Sequence, residues 1–357
     1  MYKRQELFIP LDDNDIRIYA CGPTVYDYIH VGNARPLIIF DVLVRFLKLI
    51  YPKVTYVRNI TDVDDKIIVQ ANQNKESINN LTERTIKAFS DDADALFVKK
   101  PDFEPRATEH IQEMLQMIKV LLENGYAYLS DGHVLFSVSS MPNYGKLSGM
   151  NLSEMIDGAR VEVSDYKKEP ADFVLWKPSE TGELGWHSDF GFGRPGWHIE
   201  CSAMSEKYLG KQFDIHAGGL DLIFPHHENE IAQSCCAFNT EFMAKYWMHN
   251  GYITVNNEKM SKSEGNFITV RDALKKQDGE TIRYSILSGH YRSPIDFSFK
   301  ALKEAKSALD RLYRASENFE HDNVIDEEFL SCLSNDCLLY TSDAADEGLG
   351  VDLGGRR

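Results

Sequence analysis

The sequence predicts an α/β protein with a parallel sheet, and three features near its start lead to this fold class. Residues 16–20 have the apolar character of a strand and stop at a Cys-Gly-Pro turn. Residues 33–50 carry apolar side chains at helical spacing, and residues 56–60 form a second strand-like run. A strand, a helix and a strand in succession favour a parallel unit, whose ligands lie at the carboxyl ends of its strands.

The rest of the chain repeats this pattern after an interruption. Residues 77–125 are mainly helical in pattern, and residues 126–190 hold short strand-like runs with glycine and proline. A strand at 213–216 and a helix beginning near Glu228 follow, and residues 268–315 are again helical in pattern. We therefore expect one Rossmann-like fold that an insertion divides into two halves.

Composition favours a cytoplasmic protein. The 357 residues contain no apolar run of about 18 residues, and the first residues lack a signal-peptide core. The net charge of −16 argues against a general polyanion binder, although local basic patches can still bind nucleic acid. Few and scattered cysteines fit a reducing compartment better than a disulfide scaffold. They are Cys21, Cys201, Cys235, Cys236, Cys332 and Cys337.

Two short motifs have the chemistry of nucleotide handling. His30-Val31-Gly32-Asn33 opens a predicted helix, whose N-terminus suits phosphate, and its His and Asn can donate hydrogen bonds. A capped surface helix with an incidental histidine is the alternative.

Lys259-Met260-Ser261-Lys262-Ser263 resembles a mobile cationic clamp for transition-state charge. Its alternative is a solvated basic loop.

A third motif, Gly218-Gly219-Leu220-Asp221, follows the strand at 213–216. In an α/β fold this is a strand-end loop, where glycines admit a ligand and a carboxylate accepts hydrogen bonds. Asp221 is expected to hold a ribose hydroxyl or a substrate ammonium group. A simple helix N-cap role for Asp221 is the alternative.

Four scattered side chains could form a metal site. His226 and Glu230 are four residues apart on a predicted helix and share one face, so they can bind one divalent ion. Cys21 and Cys201 each lie beside a predicted strand end. Two thiolates, one imidazole and one carboxylate are a plausible zinc set, but two separately buried cysteines are the alternative.

The neighbours of these residues are assigned other roles. His227 and Glu228 are expected to lie on the helix surface or to support the ligands from behind. Cys235 and Cys236 are expected to be structural.

The paired motifs resemble the HIGH and KMSKS signatures of class I aminoacyl-tRNA synthetases, with Asn33 as a departure in the fourth position of the first. The residues from 1 to about 310 resemble cysteinyl-tRNA synthetases in particular. The segments that carry this resemblance are Cys21–Asp27, Asn33–Arg35, Asn59–Lys66, Gly196–Ser202 and His216–Ser234. The family activates L-cysteine with ATP, carried with Mg²⁺, and transfers it to tRNA(Cys) in protein biosynthesis.

The resemblance also implies the roles of individual residues. It implies that one Zn²⁺ is held by Cys21, Cys201, His226 and Glu230. It implies an amino-acid pocket lined by Gly22, Thr61, Trp197 and Asp221. The expected ATP contacts are His30, Gly32, Asn33, Gly219 and Lys262. The expected catalytic side chains are His30, Asn33, Lys259 and Lys262. A soft zinc ion would bind the substrate thiolate and reject serine, so we expect no editing domain.

The predicted domains combine the pattern along the chain with this resemblance, and a monomer is expected. They are the first half of the catalytic domain (1–100), a connective insertion (101–190), the second half (191–251), the KMSKS loop with a helical stem-contact region (252–310), the start of a truncated helical domain (311–337) and a non-native tail (338–357). Residues 338–347 resemble a translated sequencing adapter, which suggests that the native message ends near Asp336. A natural flexible tail is the alternative.

Two other functions compete with the main interpretation. A cysteine ligase on the same scaffold could pass the adenylate to an amino-sugar acceptor during synthesis of a thiol cofactor. A non-catalytic zinc- or nucleotide-binding paralogue is the other alternative, against which the intact Lys259–Ser263 motif argues.

Overall fold

A computed structural model describes residues 5–150, 164–180, 182–255, 258–260, 266–317 and 325–336. The strands are β1 (Ile16–Ala20), β2 (Val54–Arg58), β3 (Ala127–Ser130), β4 (His133–Phe136), β5 (Phe173–Pro178), β6 (Gly193–Pro195), β7 (Phe213–Gly219), β8 (Ala244–Asn250), β9 (Ile253–Val255), β10 (Glu258–Lys259) and β11 (Ile295–Asp296). The helices are α1 (Val31–Ile50), α2 (Asp65–Asn74), α3 (Ile78–Ala95), α4 (Ile111–Glu123), α5 (Trp197–Leu209), α6 (Glu228–Phe238), α7 (Val270–Leu274), α8 (Gly279–Leu287), α9 (Phe299–Ser316) and α10 (Glu327–Ser334).

The described residues form two compact units, and each is made of several stretches of the chain. The first takes in the described residues within 1–27, 51–87 and 100–248, and the second takes in those within 28–50, 88–99 and 249–357. Among the described helices, none combines the length and apolarity that crossing a membrane requires.

A parallel sheet with the strand order β2-β1-β7-β8 is the centre of the first unit, as the α/β prediction required. β1 pairs in parallel with both β2 and β7. Every residue of β2 is buried, and so are all residues of β7 except its last. Such continuous burial is typical of central parallel strands covered on both faces. Because β1 has β2 on one side and the much later β7 on the other, the sheet has a switch point there, where α/β proteins bind ligands.

The positions of β1 and α6 are confirmed, whereas the predicted strand at 56–60 is wrong at both ends. β2 runs from Val54 to Arg58, two residues earlier than expected. The residues after it leave the sheet register and run beside the turn that follows β1. There the Thr61 backbone N–H donates to the Pro23 carbonyl at 3.1 Å, and the Val25 N–H donates to the Thr61 carbonyl at 3.1 Å.

A second sheet, antiparallel and with the order β3-β4-β5-β6, also belongs to the first unit. It runs from residue 127 to residue 195, while the predicted insertion covers 101–190. One ion-pair cluster fastens it to the start of α2, since Arg194 and Lys177 both contact the Asp65 carboxylate. The predicted domain boundaries stay predictions.

The second unit is largely helical and holds the small sheet β10-β9-β11. Arg35, on α1, is fully buried, and its guanidinium donates to the carbonyls of Tyr252, His290 and Ser293 at 2.6–3.1 Å. A buried guanidinium needs several acceptors because its charge has lost its water. This side chain therefore ties α1 to the residues that precede β9 and β11.

A buried ion-pair cluster on α1 is expected to control the stability of the second unit. The Asp41 carboxylate, 3% exposed, accepts from Arg45 Nε at 2.9 Å, Arg283 Nη2 at 2.5 Å and the Lys99 backbone N–H at 2.9 Å. Asp41→Asn keeps the shape but leaves Arg283 without its counter-charge. We expect the free energy of unfolding to fall by about 3 kcal/mol, measured by urea denaturation.

The matched control is Glu304→Gln, because Glu304 pairs with Lys300 across 3.8 Å at an exposed position. Exposed pairs of this kind contribute little, so this variant should unfold at the same urea concentration as the parent chain. Equal effects of the two substitutions would contradict the assignment.

Candidate metal centre and nucleotide motifs

The structure brings four distant side chains to one point in the first unit. Cys21 follows β1 directly, Cys201 lies in α5, His226 precedes α6, and Glu230 lies in the first turn of α6. One ligand atom from each lies within 4.8 Å of all the others. The group therefore meets at the switch point of the sheet, where β1 and β7 end.

The donor distances fit one zinc ion. The Cys21 sulfur lies 3.8 Å from the Cys201 sulfur and 3.6 Å from Glu230 Oε1. His226 Nε2 lies 3.1 Å from the same carboxylate oxygen. Donors that surround a Zn²⁺ at roughly 2.0–2.3 Å lie about 3–4 Å from one another, and these three pairs fall in that range. Two sulfurs, one nitrogen and one oxygen are also a donor set that zinc accepts.

One expectation about this group is wrong: Cys201 does not lie at a strand end. It lies one turn inside α5, four residues after the first helical residue, Trp197. β6 ends at Pro195, and a Cβ on Gly196 would come within 2.1 Å of the Val174 carbonyl, so the chain must turn closely against β5 there. The helix that starts after this turn carries the thiol into the core.

His226 was expected on the same helix as Glu230, but it lies just ahead of α6, which begins at Glu228. The backbone ahead of α6 is irregular, with Phe224 extended and the Phe224–Pro225 peptide cis. The imidazole of His226 nevertheless reaches Glu230, as the four-residue spacing required.

Two further histidines meet the same group, and the sequence did not assign either to it. His216, on β7, places Nε2 2.9 Å from Glu230 Oε2, and His227 places Nε2 3.4 Å from the Cys21 sulfur. Cys21, His216, His227 and Glu230 form a second set within 4.8 Å. A histidine inside a fully buried strand is unusual, and that is the signal that could have identified His216.

The surface alternative for His227 and Glu228 is therefore wrong. His227 is 0% exposed and Glu228 is 1% exposed. Glu228 turns toward residues 147 and 148 and accepts a hydrogen bond from the Ser148 backbone N–H at 2.9 Å. It supports a loop, while His227 faces the candidate metal group.

Burial sets the charge of these groups. Burial raises the pKa of Cys21 well above its usual value and lowers the pKa of His226 well below its usual value, with His198 and His216 adding to the second effect. The contact with the Cys21 thiol lowers the pKa of Cys201, but burial and Glu230 raise it more. The histidine is thus neutral, as a ligand must be, and the thiols need a cation in order to deprotonate.

His198 fixes the orientation of the His226 ring. Its Nδ1 lies 2.9 Å from His226 Nδ1, and burial lowers the pKa of His198 to about 3. Two neutral rings in this contact require one to donate and the other to accept. Since His226 Nε2 points at Glu230, a metal-binding His226 would carry its hydrogen on Nδ1, as ligand histidines usually do.

The predicted amino-acid pocket residues belong to the same unit. A Cβ on Gly22 would lie 1.6 Å from the Asn59 carbonyl oxygen, so only glycine fits there. The Trp197 ring, 40% exposed, stacks on His226 with centroids 4.2 Å apart. Thr61 is 2% exposed and lies just beyond β2. Gly22 and Trp197 thus lie next to the candidate ligands Cys21 and His226, and Thr61 contacts Glu200, the residue before Cys201.

Asp221 lies in a short 3₁₀ turn, Leu220–Leu222, and is exposed. The N-cap alternative is wrong, because the residue that precedes α6 is His227. Gly219 passes close to the Asp221 side chain, since a Cβ there would lie 2.4 Å from Oδ1. The loop after β7 therefore exposes the Asp221 carboxylate next to the backbone of Gly219.

In the second unit, His30 and Asn33 cap the start of α1 reciprocally. The Asn33 N–H donates to His30 Nδ1 at 3.2 Å, and the His30 N–H donates to Asn33 Oδ1 at 3.2 Å. This is the geometry of a capping box, with histidine in place of serine or threonine. It makes Nδ1 an acceptor, so neutral His30 carries its hydrogen on Nε2, and Asn33 keeps its two amide hydrogens.

The other nucleotide residues are described only in part. A Cβ on Gly32 would lie 2.8 Å from the His30 ring, so the ring covers this glycine. Lys259 ends β10, which pairs antiparallel with β9, and its side chain lies outside the described part. Lys262 lies outside the described residues, as does the predicted tail at 338–357. Their assignments stay predictions.

Cys235 and Cys236 lie in the apolar core of the first unit and not in the metal group. Burial raises the pKa of Cys235 to about 11 and that of Cys236 to about 12. Both thiols are neutral in such surroundings, which fits a structural role.

Comparison with known proteins identifies the relatives of this chain. A family model described as the tRNA synthetases class I (C) catalytic domain matches residues 7–307. A cysteine–tRNA ligase of Gluconobacter oxydans is 58% identical over 310 residues, which are 87% of this chain and 69% of that protein. A cysteine–tRNA ligase of Rhodospirillum centenum is 56% identical over 336 residues, 94% of this chain and 74% of that protein.

Solved structures share the fold at low identity. A Mycobacterium tuberculosis methionyl-tRNA synthetase bound to methionyl-adenylate has a TM-score of 0.68 and 15% identity, covering 94% of this chain and 82% of its own. A putative arginyl-tRNA synthetase of Campylobacter jejuni has a TM-score of 0.56 and 11% identity, covering 94% and 81%. Both similarities support the α/β fold class.

Metal content gives a direct test of the four-residue group. We expect Cys201→Ser to lose most of its zinc on dialysis, whereas the parent chain retains about one ion per chain, measured by atomic absorption. The matched control is Cys236→Ser, which alters a buried thiol outside the group and should retain its zinc. Equal loss from both variants, or from neither, would contradict the assignment.

Proposed function

This chain belongs to the cysteine–tRNA ligase family of class I aminoacyl-tRNA synthetases, and from that premise we propose which of its residues select and activate cysteine. It is an enzyme that activates cysteine with ATP and transfers it to tRNA. The observation that carries the residue-level proposal is the convergence of Cys21, Cys201, His226 and Glu230 at the switch point of the sheet.

These four side chains would hold one zinc ion. When bound, zinc would supply a coordination position that accepts the substrate thiolate, whereas a serine hydroxyl stays protonated and binds poorly. The protein would contribute the shape of the cysteine pocket and the orientation of the amino acid in it. Trp197 packs on the His226 ring and offers an aromatic wall, and the close approach of Asn59 leaves Gly22 without room for a side chain.

The remaining pocket residues would fix the backbone atoms of the amino acid. The exposed Asp221 carboxylate is suited to the substrate ammonium group, and Thr61 presents a hydroxyl from the end of β2. Gly219 and Gly32 would contact ATP, because a glycine brings no side chain of its own between the backbone and a ligand. A pocket that recognises the thiol through a metal needs no hydrolytic editing, because serine lacks the group that is recognised.

Activation is an attack of the cysteine carboxylate on the α-phosphorus of ATP, which is carried with Mg²⁺. An oxygen–phosphorus bond forms, the bond to the β-phosphate bridging oxygen breaks, and pyrophosphate leaves. His30, through Nε2–H, and Asn33, through its amide hydrogens, would donate to the developing charge. Lys259 and Lys262 would add positive charge. The terminal ribose hydroxyl of tRNA then attacks the adenylate carbonyl, and AMP leaves.

The capping geometry supports this assignment of His30 and Asn33. Each uses one atom to close the helix start and keeps hydrogens on another atom, so both donors are held in fixed positions before ATP binds. Fixed donors cost little reorganisation during the reaction, which is how such groups lower a barrier.

We also propose the wider organisation of the protein. The segments 1–100, 101–190, 191–251 and 252–310 would be the two catalytic halves, the insertion between them and the KMSKS region with its stem contacts. The enzyme would act as a cytoplasmic monomer on L-cysteine and tRNA(Cys). The comparisons favour neither the amino-sugar ligase nor the non-catalytic paralogue.

The adenylation step is tested by pyrophosphate exchange. We expect exchange that depends on cysteine and is at least about 10³-fold weaker with serine. His30→Ala should lower kcat by about 10²-fold, because one fixed donor to the transition state is lost. The matched control is His187→Ala, an exposed histidine outside both motifs, which should exchange normally. Exchange that does not require cysteine would refute the proposed activity.

A further inference from the structure

A buried chain of hydrogen bonds lies behind the proposed cysteine pocket. It joins Gly22, Asn59, Thr61 and Glu200, and we call these four residues the Asn59 relay. Two of its members, Gly22 and Thr61, are proposed pocket residues. The side chains of the other two, Asn59 and Glu200, have no role in the mechanism described above.

The backbone N–H of Gly22 fixes the direction of the hydrogen bonds that join Gly22, Asn59 and Thr61. The Gly22 backbone N–H can only donate, and it lies 2.9 Å from Asn59 Oδ1. The amide nitrogen of Asn59 must then point the other way, where it lies 3.2 Å from Thr61 Oγ1 and donates to it. The Thr61 hydroxyl uses its hydrogen on Glu200 Oε2 at 3.0 Å.

Burial makes this arrangement difficult to change. Asn59 is 1% exposed, Thr61 is 2% exposed and Glu200 is 1% exposed. Removing the partner of a buried polar group destabilises the protein, because no water replaces the lost hydrogen bond. The hydroxyl rotor of Thr61 is therefore locked from both sides, by one donor and one acceptor.

The Thr61 hydroxyl can make only one further hydrogen bond to a ligand. A hydroxyl has one hydrogen and two lone pairs. In Thr61 the hydrogen is engaged by Glu200 and one lone pair by Asn59, so what remains is one lone pair. Such a group can accept from a ligand N–H but cannot donate to a ligand carboxylate.

We propose that Asn59 and Glu200 are positioning residues that hold the Thr61 hydroxyl as an acceptor for the ammonium group of the amino acid. This inference rests on the proposed place of Thr61 in the cysteine pocket. The ammonium group would be drawn toward Thr61, and the carboxylate, which finds no donor there, would be turned toward the phosphates. The relay thus sets the orientation in which the amino acid is activated.

A purely structural role for the relay predicts a different behaviour. Asn59 and Glu200 would then only fasten the end of β2 to α5, and their loss would loosen the whole pocket. Binding of any thiol ligand would weaken, with or without an ammonium group. The two roles can therefore be separated by comparing L-cysteine with β-mercaptopropionate, which keeps the thiol and the carboxylate but lacks the ammonium group.

The experiment measures the Kd of both ligands for the zinc-loaded full chain by calorimetry, together with zinc content and Tm. We expect Thr61→Val and Glu200→Leu each to weaken cysteine binding by about tenfold and to leave β-mercaptopropionate binding unchanged, since an ammonium hydrogen bond is lost. Glu200→Gln retains an acceptor oxygen and should restore cysteine binding to near the parent value. The double variant should be no weaker than Thr61→Val alone, because Glu200 acts through Thr61.

The matched control is Thr85→Val, which removes another buried threonine hydroxyl, one bonded to the Leu81 carbonyl within α3. It should bind both ligands as the parent chain does. Parallel losses for the two ligands, or additive losses in the double variant, would overturn the proposal. If Glu200→Leu fails to fold, Thr61→Val alone decides, because it must lose cysteine binding selectively.

The outcome for the parent chain separates this inference from the proposed function. If the parent chain binds neither thiol, the zinc-based selection of cysteine is wrong. If it binds both equally well, selection of the thiol stands, but the hydroxyl of Thr61 does not recognise the ammonium group.

Discussion

The buried carboxylate of Glu230 is the constraint on which the candidate site depends. Glu230 is 0% exposed, and its two oxygens meet the sulfur of Cys21 and the Nε2 atoms of His216 and His226. A carboxylate without water requires compensating charge, and burial lowers the pKa of His226, so that ring is neutral. A divalent cation held by this group would supply positive charge to the carboxylate and to both sulfurs.

The sheet makes this assembly possible by closing strands that are far apart in sequence. β1 and β7 are neighbours although almost two hundred residues separate them, so the turn after β1 and the loop after β7 meet at one edge. Gly22 then lets the segment after β2 approach, which brings Asn59 and Thr61 beside the turn that follows β1. Selectivity for the substrate sulfur and orientation of its ammonium group would thus arise from the same edge of one sheet.

The sequence pattern located several elements but not the site. β1 and α6 lie where the sequence predicted them, whereas β2 begins and ends two residues early. No spacing rule could join Cys21 with Cys201, since their meeting depends on strand order; only resemblance to a family supplied that pairing. His227 was misjudged because a histidine next to a ligand on a helix usually points elsewhere. Here nearly every residue of α6 and of the turn before it is buried, so the rings of His226 and His227 both lie in the interior.

The asparagine at position 33 shows how a departure from a family signature can be physically neutral. An amide carries an acceptor and donors on one flat group, so Asn33 can accept the His30 backbone N–H and still present hydrogens to a phosphate. A carboxylate in this place would cap the helix but repel the nucleotide, and an ammonium group would attract the nucleotide without capping. Because neutral histidine also pairs one acceptor with one donor, either residue meets both demands. The motif is thus better described by its hydrogen-bond pattern than by its amino-acid sequence.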